Sequence, residues 1–177
     1  MKKIVLTFGL ISGVFVSLMM MASIPFMDGS EKSMVIGYTT MVLSFLLVYF
    51  GIRSYRDNVA RGSVSFGRAF SVGILITLIS SACYVATWEV IYYKIKPDFM
   101  EVYAKRGVEK LKASGATEAQ VQAKEKEMRR FQEMYKNPLI NAAITFIEPF
   151  PVGLIMTLVS AGILRRRRRE ELSPSLA

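Results

Sequence analysis

The chain has 177 residues, of which 52% are hydrophobic and 21% charged, with a formal net charge of +9. It holds no histidine and a single cysteine, Cys83; the commonest general base and metal ligand is thereby missing, and no intramolecular disulfide is possible. The apolar residues fall into blocks close to the roughly 20 residues that a helix needs to cross a bilayer core, and the basic residues collect at block ends, where they orient membrane helices rather than track a nucleic-acid backbone.

The first block, residues 4–26, follows Lys2 and Lys3. Met21, Ala22 and Ser23 resemble a signal-peptide cleavage region, but the apolar run exceeds the roughly 7 to 15 residues of a signal core, so an uncleaved helix is expected. A polar turn through Asp28, Gly29, Ser30, Glu31 and Lys32 has no room for a domain. The second helix, about residues 33–52, then runs antiparallel to the first. Arg53, Arg56, Arg61 and Arg68 face one acid, Asp57, in a short basic loop that the positive-inside rule assigns to the cytoplasm. A third helix, about residues 69–93, ends in Trp88, Tyr92 and Tyr93, which suit an interfacial aromatic belt.

Residues 94–138 are polar and read as a helical hairpin inserted between the third and fourth spans, on the extracytoplasmic side. Phe99, Tyr103 and Leu111 recur near helical spacing until Ser114 and Gly115. Thr117 with Gln120 is a capping-box pair opening a second helix, whose Val121, Met128, Phe131 and Tyr135 share a face until Asn137 and Pro138 end it. The fourth span, about residues 139–164, is stopped by five arginines at 165–169. Both termini are expected in the cytoplasm, of a bacterial inner membrane. Lys and Arg number 12 on the outer side and 11 on the inner, so the orientation rests on the short basic segments, which weigh most in the rule. The expected fold is therefore an all-α membrane protein of four transmembrane helices with one external helical hairpin, forming a single membrane domain.

Two acids fall within apolar blocks, Glu89 and Glu148. Ionised groups are costly in hydrocarbon, so intramembrane acids are candidate sites. Pro149 and Pro151 remove backbone donors just after Glu148 and disrupt its helix. Two readings stand: the acids face each other across antiparallel helices as a proton or cation site with the freed carbonyls, or each reaches water or pairs with a base such as Lys94. Small residues recur every fourth position at Gly9, Gly13 and Ser17, at Gly73, Thr77 and Ser81, and at Gly153, Thr157 and Ala161. Such rows let helices approach closely, within one chain or in a homodimer. The eleven methionines read as apolar filler.

Three stretches, grouped on the cytoplasmic side of the second and third helices, carry a family resemblance: Gly37-Tyr38-Thr39-Thr40-Met41, Gly51-Ile52-Arg53-Ser54-Tyr55-Arg56-Asp57 and Ser65-Phe66-Gly67-Arg68-Ala69-Phe70. With Glu148-Pro149 and the terminal arginines, the chain resembles a family of small bacterial four-helix inner-membrane proteins classed as a domain of unknown function. That resemblance implies the four-helix fold and no activity, ligand or site. Arg53, Arg56, Asp57 and Arg68 form a candidate polar cluster at the inner face, in which Asp57 is expected to pair with Arg56 or Arg61, to cap a turn through Asn58 or to bind a partner's charged group.

No constellation of acid, base, nucleophile or metal ligands is apparent, so no enzyme, cofactor or metal site is expected. The leading expectation is a non-enzymatic envelope interaction or accessory protein, with the lipid bilayer, an envelope protein or a second copy as partner and nucleic acid excluded. The alternative is a small transporter or channel component using Glu89 and Glu148.

Overall fold

The computed structural model describes residues 1–24 and 31–165, and for residues 31–34 the backbone alone. Asp28, Gly29 and Ser30 of the expected turn and the arginines at 166–169 lie outside the described residues. Those described are overwhelmingly helical and include no strand. In chain order the helices are α1 (Lys2–Ser23), α2 (Glu31–Asn58), α3 (Phe66–Val90), α4 (Phe99–Ala113), α5 (Glu118–Tyr135), α6 (Pro138–Ile147) and α7 (Pro149–Leu164).

Four helical stretches are long and apolar enough to cross a membrane: Lys2–Ser23, Val35–Asn58, Phe66–Ile95 and Pro138–Leu164, with mean hydropathies of 2.3, 1.9, 2.0 and 1.8. Between 22% and 39% of each span is buried inside the chain. The remainder presents large apolar side chains such as Leu6, Leu10, Leu18, Leu43, Ile155 and Ile163 outward. A surface of that kind is compatible with lipid, not water. The chain is a multi-pass membrane protein.

Several boundaries differ from the sequence reading. Glu31 and Lys32 already belong to α2, which also runs to Asn58 rather than stopping near Ile52, while α3 begins at Phe66. Most of the expected basic loop is thus helical. The remaining turn includes Arg61 and Gly62 at positive φ, a conformation that glycine adopts without steric cost. Ser65 caps α3, its Oγ accepting from the Arg68 backbone N–H at 3.4 Å. At its other end α3 runs into a π-helical turn, Ile91–Ile95, in which Lys96 N–H donates to the Ile91 carbonyl at 2.8 Å.

The rows of small residues pack inside the chain. A Cβ added at Gly13 would lie 2.6 Å from Cys83 Sγ, and one at Gly9 2.9 Å from Ile79, so α1 and α3 meet almost backbone to backbone. Gly73 and Gly153 do the same for α3 and α7, with Thr157 and Thr77 as the opposing side chains. Hydroxyls fill what the glycines leave. Ser12 Oγ donates to the Ser44 carbonyl at 3.0 Å and lies 2.9 Å from Ser80 Oγ, Thr77 Oγ1 lies 3.1 Å from Thr157 Oγ1, and Thr87 Oγ1 lies 2.7 Å from Ser17 Oγ. Below this belt a buried apolar cluster joins Val5, Val48, Ile52, Val64, Ile76 and Leu164. The start of α1, the turn between α2 and α3 and the end of α7 therefore share one end of the bundle.

Substituting leucine for Gly153 must displace Thr77 and Phe45, and overpacking of this kind costs about 1–3 kcal/mol. Gly162 has nothing near its missing Cβ. In detergent, Gly153→Leu is expected to lower the midpoint of thermal unfolding clearly and Gly162→Leu to leave it unchanged, as followed by helical circular dichroism; equal effects would remove the close-packing account.

Candidate functional site

The opposite end of the bundle is built differently. α4 and α5 lie side by side and antiparallel: Gln132 Nε2 donates to the Met100 carbonyl at 3.1 Å near one end, and Lys112 Nζ lies 3.7 Å from a Glu125 oxygen nearer the other. The capping box at the start of α5 forms, Thr117 Oγ1 accepting from Gln120 N–H and Gln120 Oε1 from Thr117 N–H. Met100, Ala104, Val121 and Met128 are buried, as an amphipathic pair facing inward requires.

This pair sits on the spans through aromatic rings. Trp88 and Tyr92 were expected to lie in an interfacial belt. Each is only 7% exposed, because both are enclosed by α4 and α5; of the three belt residues only Tyr93 is on the surface. Trp88 meets Phe99 edge-on at a centroid distance of 4.9 Å, and Tyr92 meets Tyr135 at 5.2 Å, geometries that aromatic quadrupoles favour. A chain of hydrogen bonds runs through the same joint. Trp88 Nε1 donates to Tyr135 Oη at 2.9 Å, Tyr135 Oη and Thr145 Oγ1 lie 3.3 Å apart, and Thr145 Oγ1 donates to Asn141 Oδ1 at 3.2 Å. Asn141 Nδ2 is buried without a partner among the described residues.

Between the pair and the spans lies a cavity of about 320 Å³. Met20, Tyr38, Met41, Tyr84 and Trp88 come from α1 to α3; α4 and α5 contribute Phe99, Tyr103, Phe131 and Tyr135; α6 contributes Thr145, and Glu148 follows between α6 and α7. Its lining is predominantly apolar and aromatic, with few polar groups, the usual character of a small-molecule site. Tyr84 Oη donates to Glu148 Oε2 at 2.9 Å, and among the described residues no Lys or Arg pairs with Glu148. Pro149 starts α7 and Glu148 N–H turns back to the Thr145 carbonyl at 3.4 Å, while Pro151 has no N–H for the Ile147 carbonyl. Pro149 is buried and Pro151 exposed. From Leu164 back to Glu148 the helix climbs about 24 Å, less than the roughly 30 Å of a hydrocarbon core, so Glu148 lies near the far end of its crossing.

Glu89 occupies another face of α3. It is not among the residues lining the cavity, and its Oε1 is buried without a hydrogen-bond partner among the described residues. Glu148 meets Tyr84 instead. Of the residues expected to cluster at the inner face, Asp57 accepts from Arg56 Nε at 2.7 Å and from Arg56 Nη2 at 3.2 Å, with Arg53 Nε 3.7 Å away. Arg68 forms no ion pair among the described residues and contributes its backbone N–H to the α3 cap. The Gly37-to-Met41 stretch does not belong on that side. It stands a dozen or more residues earlier in α2, about 18 Å along the axis, and Gly37, Tyr38, Thr40 and Met41 line the cavity.

The family model for proteins of unknown function designated DUF4199 matches residues 7–166. The chain belongs to this family. No curated protein and no solved structure matches it. Both the cavity and the Arg56–Asp57 cluster of this DUF4199 chain lie within the matched region. Among the described residues no three His, Cys, Asp or Glu side chains gather as a metal-ligand set.

Sequence reasoning missed Tyr84, Trp88 and Tyr135 as site residues, yet part of the pattern was there. Asn141, Thr145 and Glu148 follow one another at i, i+4 and i+7 in an otherwise apolar block, as do Tyr84 and Trp88 at i and i+4, spacings that place them on common faces.

Burial holds the Tyr135 phenol above its ordinary pKa, and the nearby charge of Glu148 and the Tyr92 ring act in the same direction; its bonds to Thr145 and Trp88 oppose it. The folded state thus keeps this proton longer than the unfolded chain, so the contribution is complete below the unfolded value of about 10 and declines as pH rises beyond it. Tyr135→Phe strands Trp88 Nε1 and is expected to cost about 1–3 kcal/mol. Because Trp88 is the only tryptophan, its emission should shift in that variant, and the native shift at alkaline pH should appear only above the range where free tyrosine ionises. An unchanged emission spectrum and unchanged melting in Tyr135→Phe would show that the bond does not hold the joint.

Proposed function

We propose that this chain is a non-enzymatic accessory protein of the bacterial inner membrane that works by contact with another envelope protein, using α4 and α5 as an extracytoplasmic contact surface. The observation that carries this reading is the Trp88–Tyr135 joint. It fixes the pair to the spans, while Glu101, Lys105, Glu109, Lys126, Glu127 and Arg129 point outward, so a charged surface is presented in one orientation. Pre-organisation of this kind lowers the ordering cost of binding a partner. Lys2, Lys3 and the arginines of the α2–α3 region are at the other end, which supports cytoplasmic termini under the positive-inside rule. The small-residue rows are already used within the chain, so a homodimer would form through other faces.

With a photo-crosslinking residue at Glu109 or Lys126 in living cells, a discrete adduct with a second envelope protein is expected, and a cysteine at Lys126 should be labelled by an impermeant reagent from outside while one at Ser63 is not. Adducts confined to lipid and to the chain itself, or the reverse labelling pattern, would overturn the reading.

The position of Glu148 on the cavity favours a second reading, a small transporter or channel component in which Glu89 and Glu148 are the polar elements of a path. Weighing against it are the separation of Glu89 from the cavity and the packed layer of Phe45, Val48, Ile52 and Ile76 below. Proton or cation flux in reconstituted vesicles that is unaffected by Glu89→Gln and Glu148→Gln would remove that reading.

A further inference from the structure

We propose that the cavity under α4 and α5 is a binding site for a small hydrophobic organic cation of the substituted-ammonium class, its charge beside Glu148 and its apolar part against the aromatic and methionine walls. This goes beyond the proposed contact role and does not depend on it, since the cavity is lined by the chain's own helices whatever the outer surface of α4 and α5 meets.

The sign of the ligand follows from Glu148. Its carboxyl opens on the cavity within a membrane-spanning stretch, accepts one hydrogen bond from Tyr84 Oη at 2.9 Å, and has no basic partner among the described residues. An ionised carboxylate at the edge of hydrocarbon is stabilised by a cation beside it, and an anionic guest would meet repulsion. Ligand size and type follow from the walls. The volume of about 320 Å³ falls at the lower end of small-molecule sites, far above that of a single water. A bare metal ion prefers several oxygen ligands, whereas here one carboxylate is surrounded by rings. Tyr84, Trp88, Phe99 and Tyr135 offer the π faces that attract an ammonium or aromatic cation, and Met20 and Met41 supply the adaptable thioether contacts that accept guests of differing outline. Glu148 lies near one end of its crossing, so a cation could place its charge there while its apolar part remains buried.

Purified full-length protein in lipid nanodiscs would be titrated with a cationic N-methyl styrylpyridinium dye and, at mildly alkaline pH, with its uncharged pyridine parent, reading quenching of Trp88. Saturable quenching by the cation is expected, with affinity about tenfold or more above that of the neutral parent, the scale at which close charge pairs act. Glu148→Gln should abolish that preference, Glu148→Asp should retain part of it, and Tyr84→Phe should weaken it a few-fold. Glu109→Gln, on the outer surface of α4, should leave it intact. An ammonium-bearing phospholipid headgroup shares this chemistry, so discs with and without phosphatidylethanolamine distinguish the sources: equal dye affinity in both assigns the site to free cations, and dye displacement by that lipid, absent in Glu148→Gln, assigns it to the headgroup. Equal binding of cation and neutral parent by the native protein, or an unchanged preference in a folded Glu148→Gln, would overturn the proposal; the native comparison decides even if that variant fails to fold.

Discussion

Close approach of α3 to α1 and α7 is the constraint on which the rest of the structure depends. Inside a bilayer, apolar side chains gain nothing by leaving lipid for one another, so helices associate through tight packing and interhelical hydrogen bonds. Gly9 and Gly13 on α1, Gly73 on α3 and Gly153 on α7 supply the first. Ser12, Ser80, Thr77 and Thr157 supply the second, and their bonds are possible only because the glycines let the backbones come near. The lipid-facing sides of the same helices carry leucine, isoleucine and phenylalanine, for which no partner within the chain is needed.

Side-chain size changes along the bundle, and the cavity is the result. Where small residues face each other the helices touch. At the far end the large rings of Tyr84, Trp88 and Tyr135 line the cavity instead. The polar atoms on those rings then require partners: Thr145 and Asn141, buried on α6, and Glu148 just beyond its end supply them. Proline at 149 and 151 serves this arrangement by letting α6 end where Glu148 reaches the gap. Small residues thus mark the closely packed half and aromatic rings the half that holds the cavity.

How much of this is legible in the sequence differs by element. The four spans follow from block length and hydropathy alone, because lipid burial depends on composition more than on partners. The capping box at Thr117 and the break after Glu148 are local devices, and both form where the residues predict them. The small-residue rows announced close packing, though not which helices they join. What escaped prediction depends on distant contacts. Trp88 and Tyr92 carry the signature of an interfacial belt whether they meet lipid headgroups or a second pair of helices; only the docking of α4 and α5 decides. The partner of Glu148 is Tyr84, 64 positions away, and an apolar helix gives no sign that one of its tyrosines will find an acid. Gly37 to Met41 appeared to belong with the inner arginines as part of one motif series, but helical rise alone carries that stretch to the cavity.

The connections on either side of the α4–α5 pair are short. Three residues, Lys96, Pro97 and Asp98, lead into it, and two, Lys136 and Asn137, lead out; Tyr93 Oη also donates to the Lys136 carbonyl at 3.5 Å. Tethers of this length, one containing proline, keep both ends of the pair within a few residues of the spans. The floor and the roof of the cavity are thus stitched together at two points, like a page sewn along opposite edges.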